Sequence, residues 1–116
     1  MALSLYRIKK YVPKFEGQDE EGVVKPVTFY FKVLGAVAFR EFSSQVSANR
    51  EDMDKAFPIY HEMTASHIEK IENLDLDGVA VTDGKTFCEC APNVFMVEIE
   101  NAILEASRVM DDDSKN

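Results

Sequence analysis

At Gly35 the spacing of apolar residues changes period. Before it, Val27-Thr28-Phe29-Tyr30-Phe31-Lys32-Val33 alternates, so Val27, Phe29, Phe31 and Val33 share one side of a strand and Thr28, Tyr30 and Lys32 the other. After it, Phe39, Phe42 and Val46 recur at i, i+3 and i+7, with Arg40, Glu41 and Ser44 turned away. This spacing predicts a helix over Ala36–Ala48. A half-buried strand running straight into an amphipathic helix calls for an α+β fold in which helices cover the phenylalanine face of a small sheet.

A first strand is expected over residues 3–12, ended by Pro13, and the polar loop Glu16-Gly17-Gln18-Asp19-Glu20-Glu21-Gly22 separates it from the second. That loop is too short for a helical crossover, so the two strands are expected to pair antiparallel. A second helix is expected over residues 54–73, with Met53, Phe57, Tyr60, Thr64, Ile68 and Ile71 as its buried stripe and Pro58 in its first turn. Val79-Ala80-Val81-Thr82 and Lys85-Thr86-Phe87-Cys88 flank Asp83-Gly84, a dipeptide suited to a type I′ turn, and are expected to form a second short hairpin. A third helix is expected from Pro92 to about residue 109, with Phe95, Ile99, Ala102, Ile103 and Ala106 inward. The expected architecture is therefore an N-terminal antiparallel β-hairpin, three amphipathic helices and a second short Asp-Gly hairpin. Residues 1–110 are expected to form a single interaction domain, and residues 111–116 an acidic disordered tail whose aspartates oppose the helix dipole.

The 116 residues suffice for one domain, and 46% apolar content sets the chain apart from disordered compositions. Residues 1–50 hold eight Lys/Arg against five Asp/Glu, and residues 51–116 hold five against sixteen, giving net charges of +3 and −11. Such a balance argues against nucleic acid as a ligand, since phosphate contacts need clustered cations. No apolar run reaches the roughly 18 residues of a membrane span. The early Arg7, Lys9 and Lys10 leave no room for a secretory h-region, so the cytoplasm is the expected compartment.

Chemistry-bearing residues are few. His61 and His67 stand about 240° apart on a regular helix and cannot chelate one metal. Cys88 and Cys90 are too close in sequence for an unstrained disulfide and are expected to be thiols. Asp75-x-Asp77-Gly78 opens like a calcium loop, but Val79, Val81 and Thr86 stand where oxygen ligands belong. No catalytic, cofactor-binding or metal-binding residues are assigned, and no enzymatic activity is expected. On the third helix Val97 and Leu104 stand opposite the core stripe, with Asn101 and Arg108 beside them. We place a partner-binding face on Val97, Asn101, Leu104 and Arg108.

The strand over residues 27–33, the helix carrying Phe39-Arg40-Glu41-Phe42, a long polar-faced helix, the segment Gly78-Val79-Ala80-Val81-Thr82-Asp83-Gly84 and a proline-started helix succeed one another in that order. In element order, length and patterning, residues 25–108 resemble the tail assembly chaperones of long-tailed bacteriophages. The resemblance implies a non-enzymatic protein of the host cytoplasm that keeps the tape measure protein soluble and helps recruit tail tube subunits; a homo-oligomer is a separate option. It carries over no site residues. The alternative is a small acidic inhibitor or adaptor that occupies a basic surface of a host protein, which calls for carboxylates on one rigid face.

Overall fold

The computed structural model describes residues 8–114, with side chains described through residue 108. The described residues form an α+β fold of four α-helices, a three-stranded antiparallel sheet and a two-stranded hairpin. Strand β1 (Ile8–Tyr11) pairs with β2 (Thr28–Lys32), and β2 pairs on its other side with β3 (Ile68–Glu72). The expected β1–β2 pairing is present, with Tyr11 opposite Phe29 and Lys9 opposite Phe31. The part of the expected first strand before Ile8 lies outside the described residues.

β2 is the central strand, and its alternation sorts the two faces: Phe29 and Phe31 are buried on one, while Lys32 is exposed on the other. On the outer face Lys32 pairs with Glu69 at 2.9 Å and the Lys70 ammonium sits 4.7 Å from the Tyr30 ring centroid. On the inner face Phe29 meets Phe87 edge-on at 4.9 Å and Phe95 at 5.7 Å, and Phe87 meets Phe95 at 5.0 Å. Ile68, Ile71, Met63, Ile99 and Ile103 complete this core. Each fully buried phenylalanine contributes about 1.5–3 kcal/mol relative to exposure.

β3 corrects the sequence reading, which carries the second helix to residue 73. Helix α2 spans Met53–His67, and the chain then enters the sheet. Phe29 lies opposite Ile71 and Phe31 opposite Ile68, with a register shift between Tyr30 and Phe31. That bulge inserts one residue, so Ile68 and Ile71 both face the core three positions apart instead of two. A bulged strand therefore carries the i, i+3 spacing of a helix. Pro58 also falls beyond the first turn of α2, where it leaves the Asp54 carbonyl without its usual intrahelical donor.

The second hairpin exists, but at the other Asp-Gly pair. β4 (Asp75–Leu76) and β5 (Val79–Ala80) are joined by Asp77 and Gly78, whose φ values of 53° and 85° are the two positive values a type I′ turn requires. Gly78 donates its N–H to Asp75 Oδ1 at 2.8 Å. Asp83-Gly84 instead starts a helix, α3 (Gly84–Cys90), because the Asp83 carboxylate accepts the Thr86 N–H at 3.1 Å and caps it.

Helix α1 (Ala36–Ala48) has the expected bounds, with Gly35 as N-cap. Phe39, Phe42 and Val46 are only half-buried, and Phe42 packs edge-on to Tyr60 at 5.3 Å. Helix α4 spans Asn93–Ser114 and so takes in residues 111–114, where the sequence predicts the start of an acidic tail. Two polar side chains of α4 anchor it. Ser107 Oγ accepts the Leu34 N–H at 2.9 Å and donates to the Ile103 carbonyl at 2.7 Å. Glu98 accepts from the Tyr11 hydroxyl, the Lys14 N–H and the Phe15 N–H at 2.6, 2.6 and 3.0 Å.

Candidate functional site

An open apolar groove of about 700 Å³ runs between α2 and α3. Its α2 wall is Asp54, Phe57, Pro58, His61, Glu62 and Ala65, and its α3 wall is Lys85, Cys88 and Glu89. On α2 these positions recur at i, i+3, i+4, i+7, i+8 and i+11, one continuous helical face. The buried side chains of α2 (Ala56, Met63 and Thr64) point elsewhere, toward the core. Phe57 is 51% exposed and so presents half of a large aromatic surface to solvent.

Gly84 lets α3 begin close against α2 beside the groove. A Cβ there would collide with the Ala65 carbonyl oxygen, so the start of α3 lies directly on the last turns of α2. Asp83 holds that start in place. Its hydrogen bonds from Thr86, side chain and backbone, keep its carboxyl below the usual carboxylate range. Between the two helices lies a valley floored by apolar atoms and edged by charge. The edge carries the carboxylates of Asp54, Glu62 and Glu89 against the single ammonium of Lys85.

Cys88 and His61 both line the groove, so their geometry decides whether it can support nucleophilic chemistry. The Cys88 thiol donates to the main-chain carbonyl of His61 at 3.9 Å, not to its ring. Burial pushes the thiol up to about 11, and the nearby Glu100 and Glu89 carboxylates add to the effect. A catalytic thiol needs the opposite shift. Glu100, only 7% exposed, is itself raised above the ordinary carboxylate range by burial. His67 closes α2 with its Nδ1–H donated to the Met63 carbonyl at 2.8 Å. Among the described residues no group of three or more His, Cys, Asp or Glu is arranged to hold a metal ion, and no helix is long and apolar enough to cross a membrane.

The face named from the sequence lies apart from this groove. Val97 (39% exposed), Asn101 and Arg108 are on the outward side of α4, where Arg108 donates to Glu105 at 3.4 Å. Leu104 is half-buried against the core, so much of its apolar surface is already covered. None of the four lines the α2–α3 groove. The sequence stripe turns Phe57 inward with Tyr60 and Thr64, whereas Thr64 is buried and Phe57 half-exposed. The signal for the groove is the stripe at 54, 57, 58, 61, 62 and 65, masked by its two carboxylates. No protein-family model, no curated protein and no solved structure matches the chain.

Proposed function

We propose that this protein acts by covering the apolar surface of another polypeptide, as a tail assembly chaperone does for the tape measure protein of a long-tailed phage. One observation carries the reading: an open, apolar, acid-edged groove built from two helix faces, with the half-exposed Phe57 in its wall. The resemblance of the sequence over residues 25–108 to the chaperones also supports it. The Cys88 thiol, held protonated, supports a role without covalent chemistry.

A tape measure protein is long and helical with an apolar face, and it aggregates before assembly. A chaperone for it needs many modest contacts along one client, strong in sum yet released as tube subunits arrive. An acidic inhibitor of a basic host surface needs carboxylates free of apolar interruption. Here Asp54, Glu62 and Glu89 alternate with Phe57, Pro58 and Ala65, which favours the chaperone reading. The host cytoplasm is the compartment this role requires.

Co-purification tests the proposal. A phage tape measure protein co-expressed with this chain should sediment with several copies of it bound. Separate sedimentation of the two proteins at micromolar concentration would refute it.

A further inference from the structure

We infer that the α2–α3 groove is the seat of a single amphipathic client helix of about three turns, apolar along one face and flanked by lysine or arginine. The inference rests on the client-covering reading above and moves the client's seat from α4 to α2 and α3.

Three observations carry it. First, both walls are helix faces: the α2 wall runs from Asp54 to Ala65, and the α3 wall repeats at i, i+3 and i+4 through Lys85, Cys88 and Glu89. Two ridged helix surfaces side by side offer grooves into which a third helix sets its own ridges. Second, the length of the α2 wall, eleven residue steps at 1.5 Å, is about 16 Å, three turns of an incoming helix. An extended strand finds no row of free backbone groups there, because α2 and α3 spend theirs within the helices. Third, the edge has three carboxylates to one ammonium, and residues 51–116, which include both helices, carry a net charge of −11. A client helix with cationic flanks meets Asp54, Glu62 and Glu89, while one with acidic flanks meets repulsion from the same groups. Phe57 is the anchor, an aromatic side chain already half out of its own fold.

The test maps two synthetic peptides of about 15 residues onto the isotope-labelled full chain by amide shift changes. Both carry leucine at i, i+3, i+4 and i+7; one has two lysines at each end, the other two glutamates. The lysine peptide is expected to shift amides within residues 53–65 and 84–91. Phe57→Asp, and separately the pair Glu62→Lys with Glu89→Lys, are expected to weaken it about tenfold or more. All three positions are exposed, so the variants are expected to keep the wild-type spectrum elsewhere. Shifts centred on residues 94–108, equal binding of both peptides, or no binding would overturn the inference. So would dilution-dependent shifts in the groove without peptide, which would make its occupant a second copy of this chain. A chain that seats the lysine peptide here but leaves the tape measure protein insoluble keeps the groove and refutes the chaperone reading. Client solubility unaffected by Phe57→Asp refutes the groove alone.

Discussion

Gly84 packs so closely on Ala65 that a side chain there would collide with the Ala65 carbonyl oxygen, leaving no room between the start of α3 and the end of α2. This contact holds the start of α3 on α2 beside the groove. It also places Phe87, three residues on, between Phe29 and Phe95 in the core.

Gly84→Ala therefore forces α3 away from α2. Backbone cannot yield as a flexible side chain does, so the expected loss is about 1–3 kcal/mol. A lower urea midpoint with an unchanged slope checks it. A midpoint equal to wild type would mean that the two helices are not held at this distance in solution.

Glu98 ties the N-terminal segment to α4 through three donors. Glu98→Ala leaves the Tyr11 hydroxyl and two backbone N–H groups without their acceptor, an expected cost of about 2–3 kcal/mol because a charged acceptor is lost. Amide exchange should speed up first at Lys14 and Phe15, since their N–H groups are the ones released.

Tyr11 adds an alkaline signature. Burial, then its bond to the Glu98 carboxylate, raises its phenol above the usual value of 10.0. The unfolded chain thus loses this proton before the folded chain does. The stabilisation is complete below about pH 10 and declines as pH rises above that value. Tyr11→Phe should flatten the fall in melting temperature between about pH 9 and 11 relative to wild type.

Glu100 gives the acid counterpart. Its raised pKa means that the folded state holds the proton more tightly than the unfolded state, so ionised Glu100 opposes folding at neutral pH. Glu100→Gln should raise the melting temperature at about pH 7, and the gain should shrink as pH falls to the ordinary carboxylate range. A constant gain across that range would assign the effect to packing instead of ionisation.

The two cysteines should differ in reactivity. Cys90 is exposed, whereas Cys88 is half-buried with its thiol pushed up to about 11. At about pH 8 iodoacetamide should modify Cys90 about tenfold faster or more, since the thiolate is the reacting form. Site-resolved mass spectrometry reads the ratio.

Much of the fold was legible because its signals are local. The alternation in β2 and the stripe of α1 each point one way, and both elements appear where their spacing puts them. β3 was hidden because a bulge gives Ile68 and Ile71 helical spacing, and only its partner strand reveals the extra residue. The two Asp-Gly pairs are identical dipeptides whose fates differ with their neighbours in the chain. Thr86 supplies an N–H that Asp83 can cap, whereas Asp75 lies three residues before Gly78 and steadies its turn. The groove was not legible, because its shape depends on where α3 docks, and the helical state of α3 was itself the hidden fact. Val97 and Leu104 look equivalent in the sequence, yet the fold half-covers Leu104.

The most direct measurement is the soluble fraction of a long-tailed phage tape measure protein expressed with and without this chain in the same cells. Most of the client is expected in the supernatant when the chain is present and in the pellet when it is absent, with Phe57→Asp returning it to the pellet. An unchanged distribution with and without the chain would contradict the account at its root.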